Sequence, residues 1–324
     1  MMQVKTKTKL SMFVLLLIAV IWGFGYLCVD DALHTGWSSL GILSIRGLGG
    51  GVIALLFSIK EKWWKKPKFI LYAFLIAIVN FLGYYLQTEG QLRTSVSNTA
   101  FFTALNVVMV PILAAIFFKE KLTIKSIVAA LIGFAGIFTL TFDGSSFKFS
   151  LGDLLNFLCA ICFAIQIASI PSLAKYEAPF ALTGIQLICM GIFASALMPL
   201  FPQTTHIVNG AWLSILYVTL ISGLLAFFLQ VICQKYVKSS TASLLLGQES
   251  FFGAIFAVLI TNAPVTWQLI LGGFLVIISI IIVNISFKKP HNKEDNIVKI
   301  TGSSKEITKV VNPSETPDLE DEKD

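Results

Sequence analysis

NFLGYYLQTEGQLRTSVSNTAFF, from Asn80 to Phe102, and GLLAFFLQVICQKYVKSSTASLL, from Gly223 to Leu245, are two readings of one pattern. They stand 143 residues apart, counted from Asn80 to Gly223. At that offset Gln87 meets Gln230, Gln91 meets Gln234, and Tyr84-Tyr85 meets Phe227-Phe228. Farther along, Asn106 meets Glu249 and Thr123 meets Thr266. Earlier segments align at slightly shorter offsets, where Trp22 meets Phe163 and Arg46 meets Gln186. Self-similarity at a fixed spacing marks an internal repeat.

Both copies sit inside long apolar runs. Of the 324 residues, 56% are hydrophobic and only 13% are charged. A soluble domain carries roughly a quarter charged residues, so lipid is the solvent this composition fits. A bilayer-crossing helix needs about 20 mainly apolar residues. Runs of that kind fall near 10–28, 39–59, 69–90, 97–118, 124–142, 151–172, 179–200, 211–233, 241–261 and 265–287. The first follows basic residues as a signal peptide would. It lacks a small-residue cleavage site and many spans follow, so it reads as a retained helix.

Charge supplies the orientation. With a cytoplasmic N-terminus, sixteen lysines fall inside: Lys5 to Lys9, Lys60 to Lys68, Lys119 to Lys125, Lys175, Lys235 and Lys238, and Lys288-Lys289. Only Arg93 and Lys148 fall outside. Positive charge prefers the cytoplasmic face, so both termini are expected on the cytoplasmic side of the plasma membrane and the span count even. The net charge of +6 follows from these flanking lysines and gives no reason to invoke nucleic acid. Each repeat has five spans, an odd number, so the second copy must enter the bilayer from the opposite side. The expected fold is an all-α integral membrane protein of ten transmembrane helices in two inverted five-helix repeats, 1–142 and 143–287. A polar, acidic segment, 288–324, reads as a disordered cytoplasmic tail.

The motifs resemble those of the EamA-type carriers of the drug/metabolite transporter superfamily. The matching stretches are IWGFGYL from Ile21, the Arg46 segment SIRGLGGG, YYLQTEGQLRTSVSNTAFFTALNVVMVPILAA from Tyr84, FKEKLT from Phe118, FFLQVICQKYVKSSTASLLLGQES from Phe227, and APVTWQLILGG from Ala263. Together they span roughly residues 10 to 287. Two positions depart from the family pattern: Glu249 precedes Ser250 where a proline is common, and Asn262-Ala263-Pro264 replaces an acidic residue. The resemblance implies a secondary carrier for amino acids or related metabolites, often exporting them, with its site near the midplane between the halves.

Polar groups are costly in a membrane helix and are functional candidates by default. Asn80, Tyr84, Gln87 and Gln91 share one face of span 3 by their i, i+4, i+7, i+11 spacing. Gly223, Phe227, Gln230 and Gln234 repeat that stripe in span 8. Thr99, Thr103 and Asn106 line up in span 4, and Asn156, Phe163 and Gln166 in span 6. Two ionisable residues lie deep. Arg46 is about seven residues into span 2, roughly 10 Å at 1.5 Å per residue, and Glu249 about eight into span 9, roughly 12 Å. A charge at the bilayer centre costs about 2.5–3.5 kcal/mol, so each needs a partner, water or a solute. The two could pair with each other, and Glu249 could exchange a proton. The expected substrate site is Trp22, Arg46, Asn80, Tyr84, Gln87, Asn106, Phe163, Gln166, Gln230 and Glu249. Such amide, phenol and aromatic groups suit a neutral or zwitterionic organic solute better than a metal ion. The alternative for any one amide is a plain interhelical hydrogen bond.

Glycines at 47, 49, 50 and 51 and at 133 and 136 read as close-packing faces, where a homodimer contact also stays open. Trp63 and Trp64 read as anchors at the inner interface and Trp37 at the outer one. The cysteines at 28, 159, 162, 189 and 233 lie in or beside apolar runs. They imply no disulfide framework, and Cys159-x-x-Cys162 reads as small buried side chains before a redox or metal pair. An intramembrane enzyme would need a nucleophile–base or metal constellation, whereas the three histidines, His34, His206 and His291, lie in loops or the tail. No cofactor is expected, and no GxxxxGK[ST] run is present to bind ATP. A channel would show a continuous polar pore. A receptor or scaffold role remains the other reading.

Overall fold

The computed structural model describes residues 2–141, 149–201, 209–261 and 265–284. Lys148, His206, the Asn262–Pro264 stretch and the acidic tail lie outside these residues. Every regular element among the described residues is helical: α1 (Met2–His34), α2 (Ser39–Ser58), α3 (Pro67–Gln91), α4 (Val96–Ala104), α5 (Asn106–Phe118), α6 (Ile124–Thr141) and α7 (Leu151–Ala174). Then come α8 (Pro179–Leu197), α9 (Trp212–Leu216), a π-helical stretch Tyr217–Leu225, α10 (Ala226–Gln234), α11 (Ser239–Leu246), α12 (Glu249–Thr261) and α13 (Trp267–Asn284). Eight stretches, several joining consecutive elements, are long and apolar enough to cross a membrane. Two shorter apolar helices, Ile124–Leu140 and Trp267–Ile282, accompany them.

The outward faces carry Leu56, Phe57, Ile116, Phe117, Leu213 and Phe274, all exposed. Water would penalise that surface and lipid does not. The inward faces use small residues. α2 packs most extensively on α8, α6 on α13, and α3 on α7, while α1 runs centrally against α9 to α12. A β-carbon at Gly51 would stand 2.5 Å from the Ile188 amide nitrogen, and one at Gly184 2.7 Å from the Leu55 side chain. Gly47 and Gly191 touch backbone to backbone at the same crossing. Gly133 faces Leu244 and Ser279, and Gly136 faces Gly272 and Val276. Both glycine faces are thus packed against other helices of the same chain.

Two of the spans are interrupted. Between α4 and α5, Leu105 bonds back three residues to Phe102; between α11 and α12, Gln248 bonds back three residues to Leu245. The second interruption forms without the proline common in the family. The first sits one to two turns before Pro111, which has no N–H for the Val107 carbonyl. Gly247 lies directly against the Val107 side chain, so the two interruptions pack together in the core. Trp37 also differs from expectation. It is 2% exposed, donates to the Gly210 carbonyl at 3.0 Å and meets Trp212 edge-on, so it is a packing residue and not an interfacial anchor.

Candidate functional site

A cavity opens where α1, α2, α3, α5, α7, α10 and α12 meet. Taken as space open to the centre of a water molecule, its volume is about 50 Å³. One water needs roughly 10–15 Å³ on that measure, so the space suits a few waters or one small solute. Nine of the ten expected residues line it: Trp22, Arg46, Asn80, Tyr84 and Gln87, with Asn106, Phe163, Gln166 and Glu249. Gln230 stands one layer back. It is fully buried and exchanges amide hydrogen bonds with Gln166, at 3.3 and 3.5 Å, while Gln166 also donates to Gln186 at 3.1 Å.

Arg46 and Glu249 do not pair with each other. The Arg46 guanidinium donates to the Ser222 hydroxyl at 3.2 Å and reaches its carbonyl at 3.5 Å. It lies over the Tyr84 ring, 4.3 Å from the centroid, where the ring quadrupole favours a cation. Gly223 lies beside it, where a β-carbon would make only an ordinary contact of 3.5 Å with the Arg46 side chain. Ser222 belongs to the π-helical stretch, a distortion frequent at functional sites. Its carbonyl also accepts the Trp22 indole N–H at 3.0 Å.

Glu249 opens α12 and accepts the Tyr26 hydroxyl at 2.9 Å. The same hydroxyl accepts from the Gln87 amide at 3.2 Å, and Gln87 reaches Thr103 at 3.4 Å. Sequence reasoning passed over Tyr26. Its signal was its place one turn after Trp22, on the same face of α1. Gly25, Val29, Ile167, Ser222 and Leu246 also line the cavity unforeseen, together with Gln91 and Phe227 of the expected stripes.

Several contacts come in related pairs. Gln91 donates to the Tyr26 carbonyl at 3.0 Å, and Gln234 donates to the Ile167 carbonyl at 2.9 Å. Trp22 meets the Phe227 ring at 5.9 Å, and Phe163 meets the Tyr84 ring at 4.9 Å. The lysine-rich side of the cavity is filled by a buried cluster that includes Leu15, Ile18, Val110, Ala114, Cys233, Val237 and Ala242.

A solved crystal structure resembles this fold, with a TM-score of 0.71 at 13% identity over 86% of this chain and 96% of the other. A relative in Archaeoglobus fulgidus, described as an uncharacterized transporter, is 30% identical over 273 residues, 84% of each chain. The model of the EamA-like transporter family matches twice, at residues 9–142 and 150–285. With nearly the whole helical part of the chain covered, this multi-pass membrane protein belongs to the EamA-like transporter family.

Proposed function

We propose that the protein is a ten-span secondary carrier made of two inverted halves, 1–142 and 143–287. It moves a small organic metabolite, an amino acid or related solute, across the plasma membrane by alternating access, in export or exchange. The observation that carries this reading is that equivalent positions of both halves meet at one cavity. The paired Gln91 and Gln234 bonds and the paired Trp22–Phe227 and Phe163–Tyr84 contacts exchange under the repeat offsets. So do the interruptions before Asn106 and before Glu249. Interrupted spans at corresponding positions of two halves are the best structural pointer to a transporter's binding site. The lysine bias supports cytoplasmic termini. An apolar plug on the lysine-rich side and a polar cavity beyond it suit a state closed toward the cytoplasm. Energy comes from solute gradients, proton coupling through Glu249, or exchange.

Counterflow tests the reading. Purified protein in proteoliposomes is preloaded with a mixed amino-acid pool, and entry of labelled trace solute is followed. Saturable, trans-stimulated uptake is expected. Its absence with every amino acid, in protein that melts cooperatively, would remove the amino-acid reading and bring the receptor or scaffold role forward.

A further inference from the structure

Four polar atoms of cavity-lining residues have no hydrogen-bond partner among the described residues: Arg46 Nε, Asn80 Nδ2, Asn80 Oδ1 and Asn106 Oδ1. Arg46 and Asn106 are each 4% exposed and Asn80 1%. Buried polar groups are normally satisfied, and leaving one unmade is costly, so the set describes the ligand it lacks. Two of the atoms donate and two accept. Arg46 brings a positive charge to the wall and Glu249 a carboxyl group. A dicarboxylate would set its second anion against Glu249 and the Asn106 oxygen. A polyamine would set cations against Arg46. An uncharged polyol would leave the guanidinium uncompensated. A zwitterion meets all four atoms with the right sign.

Asn80 narrows the choice. It alone presents a donor and an acceptor on one carboxamide with both free, so exchanging its nitrogen and oxygen leaves the conclusion unchanged. In an α-amino acid the ammonium nitrogen and a carboxylate oxygen are three bonds apart, close enough for one carboxamide to hold both. In a γ-amino acid two further methylenes separate them. We propose that Asn80 bridges both poles of the solute and so selects α-amino acids over their γ isomers. Arg46 takes the carboxylate, and Asn106 with Glu249 takes the ammonium. The rings of Trp22, Phe163 and Phe227 receive the side chain, and the small cavity favours a short one.

This proposal rests on the carrier reading, and the assay separates the two. Full-length protein in proteoliposomes takes up labelled 2-aminobutyrate by counterflow against unlabelled 2-aminobutyrate, 4-aminobutyrate, butyrate or butylamine. The α isomer should compete at least tenfold better than the γ isomer, with both single-charge analogues weaker still. Asn80→Leu, which keeps the branched shape in a somewhat larger side chain and removes the amide, should bring the two isomers within about threefold. Asn80→Ser serves the same purpose if the leucine variant does not fold. Robust amino-acid counterflow with equal competition by both isomers in the wild type would overturn the Asn80 assignment and leave the carrier standing. So would an undiminished α preference in a folded Asn80 variant. No counterflow by any amino acid in the folded wild type would overturn both.

Discussion

Tyr26 is the residue on which the polar wall of the cavity turns. Its hydroxyl joins Glu249 of α12 to Gln87 of α3, and its carbonyl holds Gln91. Tyr26→Phe keeps the ring and removes the bond to the carboxyl. A hydrogen bond to a charged group is worth about 1.5–3 kcal/mol, and about 1.4 kcal/mol is tenfold. Uptake by Tyr26→Phe in proteoliposomes should therefore fall roughly tenfold or more, with a melting temperature lowered by a few degrees; unchanged uptake would sever Tyr26 from transport. Gln87 and Gln230 separate in a different way. Gln87→Ala acts on the cavity wall and should abolish most uptake while the protein melts normally. Gln230→Ala leaves Gln166 short of a partner in the buried layer, so it should lower both uptake and melting temperature. Equal melting temperatures for the two variants would argue against the layered arrangement. The sequence carried the phase of these glutamines but not their depth. Spacing along a helix says which side chains share a face, and neighbouring helices decide which of them reach the cavity.

At the scale of elements, lipid made the spans legible. No water is available inside a bilayer to satisfy backbone groups, so an apolar run of the right length has one outcome. The interruptions before Asn106 and Glu249 were not legible, since neither coincides with a proline and Gly247 is one glycine among many. They arise where the two spans pack break against break, Gly247 on Val107. The glycine faces were legible as close contacts, but their partners were not. Gly51 meets the Ile188 backbone at 2.5 Å from where a β-carbon would stand, whereas Gly210 would offer its β-carbon an ordinary contact of 3.7 Å to Thr35. Overpacking a tight site costs typically about 1–3 kcal/mol, and more where backbone must move. Gly51→Val should therefore lower the melting temperature sharply or prevent recovery of a monodisperse protein, while Gly210→Ala should leave both unaltered. Size-exclusion profiles and thermal melts of the two variants, prepared side by side, decide it. Tolerance of valine at Gly51 would mean that α2 and α8 cross farther apart.

For the whole molecule the question is which side of the cavity is shut. Trp22 to Val29 of α1 and Asn80 to Gln91 of α3 line it from the halves of those helices farther from the lysine-flanked ends. Below them α1, α5, α7, α10 and α11 close on one another through apolar side chains. Cys233 lies in that plug, 3% exposed, with a free thiol. In alternating access the plug must part in the opposite state, and a solute can shift the balance only by its differential affinity for the two states. Cys233 should then react slowly with a maleimide supplied from the lysine-rich side, and a transported amino acid should change that rate several-fold. Mass spectrometry of the labelled peptide reads the effect, with the other four cysteines as internal references. A solute that changes the Cys233 rate but not theirs would mark local opening of the plug, as two halves rocking about the cavity require. A rate indifferent to a solute that is demonstrably transported would place the moving barrier elsewhere, and the rocking of the two halves would have to be replaced by a local gate at the other end of α1 and α3.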